Sequence, residues 1–61
     1  MQEGKILKTA RLLAGLRQKD LAEKVQVSRS LIGMIEQGRR KVKPYLAQRL
    51  SKILGVNFGN E

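Results

Sequence analysis

Apolar residues recur along the chain at spacings of three and four, in short segments separated by glycine or polar breaks, and never alternate with a period of two. That pattern predicts helices throughout. Leu7, Ala10, Leu13 and Ala14 line one side of a first helix, which begins loosely near Gly4 and stops at Gly15, a natural left-handed cap. After the link Leu16-Arg17, a second helix from about Gln18 to Lys24 places Leu21, Ala22 and Val25 on one face. Its early turns carry Asp20 and Glu23, where the helix dipole favours negative charge, and Lys24 closes the opposite pole. Gln26-Val27-Ser28 leads into a third helix, N-capped by Ser28, with Ile32 and Ile35 inward and an end at Gln37-Gly38. Residues 39–43 form a basic loop, Pro44 fits the first position of a fourth helix, and Leu46, Leu50, Ile53 and Leu54 make its inner side up to Gly55. The tail 56–61 has room for one further turn. The expected fold is all-α, a compact four- to five-helix bundle in a single domain over residues 1–61, with no repeat or linker.

Charge and composition narrow what such a bundle does. Thirteen Lys and Arg stand against five Asp and Glu, a formal charge of +8. A polyanion is therefore the expected partner, nucleic acid ahead of an anionic membrane. The chain has no Cys and no His, so it lacks a thiolate nucleophile, an imidazole base and the usual zinc or haem ligands. Its carboxylates, Glu3, Asp20, Glu23, Glu36 and Glu61, are scattered singly, with no cluster for a metal and no pair for acid and base roles. No enzyme activity, metal or cofactor is expected. The longest apolar run, Leu12-Leu13-Ala14, is far below the roughly 18 residues of a membrane span, and no signal peptide follows the basic start. A cytoplasmic location is the expectation. Readers of single-stranded RNA stack bases on aromatic rings, and only Tyr45 and Phe58 are available.

The informative stretch runs from Leu16 to Gly38. Two short helices joined by a tight link meet there at a steep angle, with Leu21, Val25, Val27, Ile32 and Ile35 where such a pair interlocks and the small Ala22 at the crossing. With Arg11, Gly15, Leu16, Gln18, Leu21, Ala22, Val25, Val27, Ser28, Ile32, Ile35, Glu36 and Gly38 in place, the chain resembles the lambda-repressor-like, Cro-type helix-turn-helix proteins, the XRE family. The stretch K-P-Y-L-A-Q-R-L-S-K-I-L-G-V also resembles the helix that closes that fold. Three residues depart from the family pattern: Arg17 stands where Ser or Thr caps, Gln26 where Gly is preferred, and Gly33 where Ser is common. Gln26 must then adopt positive φ, at a cost of roughly 1 kcal/mol relative to Gly.

The resemblance implies sequence-specific binding of double-stranded DNA by a transcriptional regulator, with a repressor of phage or mobile-element type the expectation. Arg29, Ser30 and Met34 lie on the outward side of the third helix and would face base edges in the major groove. Ser28 joins them beside its capping role, and Gly33 permits close approach. Gln18, at the N-terminus of the second helix, is expected to meet a phosphate, helped by free backbone N–H groups. The basic loop supplies Arg39, Arg40, Lys41 and Lys43 as further phosphate contacts, whereas Lys5, Lys8, Arg49 and Lys52 read as solvated charges. The family also implies a structural ion pair between Arg11 and Glu36, with spare Arg11 donors directed at phosphate. A two-fold homodimer is implied, its surface assigned to Val42, Tyr45, Val56 and Phe58, the apolar residues left over after the helices pack. Their alternative is a satellite cluster of the monomer's core. The competing function is an antitoxin or adaptor of the same fold whose main task is to bind a protein.

Overall fold

A computed structural model describes residues 2–58 and contains, among them, four helices and no strand. They are α1 (Gln2–Leu13), α2 (Gln18–Val25), α3 (Arg29–Glu36) and α4 (Pro44–Leu54). Local chemistry sets their ends. Ser28 accepts the N–H of Leu31 at 3.1 Å and so caps α3. Pro44 opens α4, and the chain leaves α4 through Gly55 at φ 70°. Between α2 and α3, Gln26 adopts φ 61° and ψ 45°, and its N–H reaches the carbonyls of Ala22 and Glu23. It is the one non-glycine residue with positive φ among those described.

No hydroxyl caps α2. Asp20, one turn inside, instead accepts the backbone N–H of Arg17 at 2.9 Å and the Arg17 guanidinium at 2.9 and 3.0 Å. The carboxylate half of a capping box thus serves without the Ser or Thr half. The guanidinium first, and the backbone N–H second, lower the Asp20 carboxyl to about 2.

The buried cluster draws Leu7 from α1, Leu21, Ala22 and Val25 from α2, Ile32 and Ile35 from α3, and Leu46 and Leu50 from α4, together with Phe58. Helix α3 packs on both α1 and α2, and α2 also packs on α4. Leu16, Val27, Leu31, Val42, Ala47, Leu54 and Val56 lie half-buried around that centre.

Three expectations need correction. Helix α1 starts at Gln2 rather than near Gly4, and its buried face is Gly4, Leu7 and Arg11. Leu13 is 84% exposed, and Ala14 is exposed too. Leu7 and Leu13 are six residues apart, about 120° around a helix of 3.6 residues per turn, so they cannot share one face. Gly4 is buried because α1 crosses the end of α3 there: a Cβ on Gly4 would lie 2.5 Å from the carbonyl oxygen of Ile35 and 2.9 Å from that of Glu36. On α4, Ile53 is 44% exposed rather than inward. The tail folds back beside Ala47 and Ser51, which shifts the buried face of α4 away from Ile53. Finally, Phe58 is only 9% exposed and belongs to the core, so the expected dimer patch is mostly internal. Residues 55–58 form no helical turn, and residues 59–61 of the tail lie outside the described residues.

Candidate nucleic-acid interface

An ion pair between α1 and α3 fixes the tilt of α3. Arg11 donates from Nε to Oε2 of Glu36 at 2.7 Å and from Nη2 to Oε1 at 3.1 Å, and its Nη1 donates to the carbonyl of Leu16 at 2.8 Å. Both side chains are almost fully covered. The hydrogen bonds that Arg11 donates to Glu36 raise its pKa above the ordinary value, against the opposing pull of burial. Three of the five guanidinium N–H groups are engaged inside the fold and the side chain is 8% exposed, so Arg11 offers little surface to a phosphate. That part of its expected role is not supported.

Glu36 holds a second partner. The Gln18 amide donates from Nε2 to Oε1 of Glu36 at 3.0 Å, so the first residue of α2 is held against the last residue of α3. The same amide covers Gly33, where a Cβ would lie 3.7 Å from Oε1 and 3.9 Å from Nε2 of Gln18. Gly33 is therefore a bed for Gln18 as well as a thin place in the helix.

The outer flank of α3 is concave, and Gln18, Arg29, Ser30, Gly33, Met34, Gln37 and Arg39 line the depression. Arg29, Ser30, Gln37 and Arg39 are exposed, and Met34 is half-buried rather than fully exposed. Ser28 is exposed at the entrance to α3 while its Oγ caps the helix. The structure thus brings together one residue from α2, the outward residues of α3 and the first cation of the basic loop. Gln37 was missed by sequence reasoning, although its spacing reveals it: it lies four residues after Gly33 and three after Met34, as those two lie three and four after Ser30, the spacing of a single helix face.

The family comparison agrees with this geometry, since residues 7–59 match the model described as Helix-turn-helix. The chain belongs to the XRE, lambda-repressor-like helix-turn-helix family. Comparison with curated proteins gives no match. Membership makes the chain a DNA-binding protein of the transcription-regulator kind, and α2 and α3 are its helix-turn-helix. No helix among the described residues is long and apolar enough to cross a membrane.

In this helix-turn-helix protein the basic loop is divided between two places. Arg39 sits on the α3 flank, whereas Arg40, Lys41 and Lys43 surround a separate depression with Leu31, Tyr45 and Leu46. Arg49 is not the plain solvated charge expected of it. Its Nη1 donates to the carbonyl of Val25 at 3.0 Å, at the C-terminal end of α2 where a cation is favoured, and its guanidinium lies 5.2 Å from the centre of the Tyr45 ring. Lys5, Lys8 and Lys52 are exposed. Of the four residues expected at a dimer surface, Tyr45 is exposed, while Val42 and Val56 are half-buried against the core that holds Phe58. A core this small recruits its own tail, which is why the leftover apolar residues turn inward.

Proposed function

We propose that this protein binds a near-palindromic operator as a two-fold homodimer and represses transcription by occupying it, in the cytoplasm of a cell that hosts a phage or another mobile element. The observation that carries this reading is the concave row of Gln18, Arg29, Ser30, Gly33, Met34, Gln37 and Arg39 along the open flank of α3. An α-helix fits the major groove, and these side chains have the chemistry to read its edges. Arg29 suits the O6/N7 edge of guanine, Met34 a thymine methyl, and Ser28, Ser30 and Gln37 any polar edge. Gln18, oriented by Glu36, meets phosphate beside the free N–H groups of the start of α2. Arg39, Arg40, Lys41 and Lys43 add phosphate contacts on either side of the groove.

A second reading, a protein-binding module of the same fold, draws on Ile6, Leu12 and Leu13, which α1 leaves exposed. Selection from a random DNA pool separates the two. An enriched palindrome with half-sites one turn apart, held well above scrambled DNA at physiological salt, supports the repressor. Equal, weak binding to every duplex that vanishes as salt rises defeats it in favour of a protein partner.

A further inference from the structure

We propose that Glu3 is a positioning residue for DNA binding, holding the basic loop so that its cations stand toward phosphate. The proposal rests on the DNA-binding reading above. Glu3 Oε1 accepts the backbone N–H of Val42 at 3.0 Å, across 39 residues of sequence, at a partly buried site. At its other end the loop is tied to α3, where Gly38 donates its N–H to Ile35 at 3.0 Å and Arg39 donates to Met34 at 2.8 Å. Residues 41–43 have no helical or turn structure; the Lys43 carbonyl accepts the N–H groups of Leu46 and Ala47 at the start of α4, and the carboxylate adds the tie that joins this side of the loop to α1.

The carboxylate acts from a fixed platform. Gly4, its neighbour, lies so close to the carbonyls of Ile35 and Glu36 that α1 cannot slide on α3. Gln2, Glu3, Gly4, Ile35, Gly38, Arg40 and Lys41 accordingly meet around one depression. The choice of partner is informative. Arg39, Arg40, Lys41 and Lys43 repel one another, and an ion pair to any of them would relieve the crowding at the expense of a charge meant for DNA. Among the described residues the two ion pairs are Arg11–Glu36 and Arg17–Asp20. Glu3 grips the loop by a backbone N–H and ion-pairs with none of the four cations, of which Arg39 donates from Nη1 to the Gln37 amide oxygen at 3.4 Å.

Two variants of the full chain test this on the selected operator and on scrambled duplex. Glu3→Gln keeps the acceptor oxygen and removes the charge, and Glu3→Ala removes both. The expected result has opposite signs. Glu3→Gln binds as tightly as the parent or more tightly, with the same salt dependence. Glu3→Ala binds about three- to tenfold more weakly, and its log–log salt slope is shallower by about 1 to 2, the signature of one or two lost phosphate contacts. Tighter or unchanged binding by Glu3→Ala overturns the proposal, because the carboxylate would then be only a repelling charge. So does equal loss in both variants, or a loss in Glu3→Ala that matches its unfolded fraction by circular dichroism. Phosphate contacts do not depend on sequence, so the slopes on scrambled duplex judge Glu3 even where the parent shows no preferred operator, an outcome that would defeat the repressor reading alone.

Discussion

A single torsion angle separates this turn from the glycine usual in its family. Gln26 holds φ 61°, a region in which a Cβ meets the following carbonyl, and among the described residues its side chain makes no hydrogen bond. Gln26→Gly should therefore raise stability by up to about 1 kcal/mol, or roughly 4–8 °C in a domain of this size. A thermal melt decides it, and a lower Tm would mean that the glycine's gain in unfolded-state freedom outweighs the relieved strain. Two glycines within helices make a matched pair. A Cβ added to Gly4 would lie 2.5 and 2.9 Å from backbone oxygens, whereas one added to Gly33 would have ordinary contact space, 3.7 Å from Gln18. Alanine favours a helix by about 1 kcal/mol over glycine at both positions, yet only Gly33→Ala should realise it. Gly4→Ala must push α1 off α3 and should lower stability by about 1 to 3 kcal/mol. Chemical denaturation of the two variants should give shifts of opposite sign.

At the scale of elements, α1, α2 and α3 are held by carboxylates that the sequence leaves isolated. Asp20 serves the start of α2, and its pKa is depressed to about 2 from an ordinary 3.8. A depressed carboxyl stabilises the fold above its unfolded pKa, and that contribution disappears as pH falls through its folded value. The loss should therefore spread from about pH 4 down to about pH 2, and Asp20→Asn should melt with a flatter acid limb across that window. A limb as steep as the parent's would remove Asp20 from the account. Glu36 ties α1, α2 and α3 together through Arg11 and Gln18. Its truncation leaves a buried guanidinium unpaired, at a cost of about 3 to 5 kcal/mol. Against the few kcal/mol expected of so small a fold, Glu36→Ala should be largely unfolded at room temperature, and an unchanged melt would refute the role. These elements also show what a sequence reveals. Ser28, Pro44, Gly55 and the turn at Gln26 were legible because a cap or a left-handed angle demands a particular residue type. Of the inner face of α1 only Leu7 was, because its other members are a glycine and an arginine while the bulkier Leu12 and Leu13 point outward. Hydrophobicity cannot find a face whose contacts are a backbone crossing and an ion pair. The α3 flank was mostly legible from helical spacing, and only Gln37 went unnoticed beyond the end of the apolar pattern.

For the molecule as a whole, size and charge together bear on how two copies would meet in the proposed homodimer. The chain spans 27 × 22 × 20 Å, so two bodies side by side can set their recognition helices about 34 Å apart, one turn of DNA. What holds them there is limited. Phe58 is committed to the core, with Val42 and Val56 packed against it, and Tyr45 remains as the exposed aromatic with Arg49 across one face of its ring. Each copy also carries +8, and like charges at contact distance oppose association until phosphates neutralise them. The copies should therefore pair on the operator rather than before it. Sedimentation without DNA should give a monomer at tens of micromolar, and binding to a full palindrome should rise more steeply with protein concentration than binding to a half-site. Tyr45→Ala should flatten the palindrome curve and leave half-site affinity unchanged. A dimer that persists without DNA and at low salt would overturn this order of assembly. Its persistence in Tyr45→Ala as well would move the contact to another face, with the exposed Ile6 and Leu13 of α1 the next residues to replace.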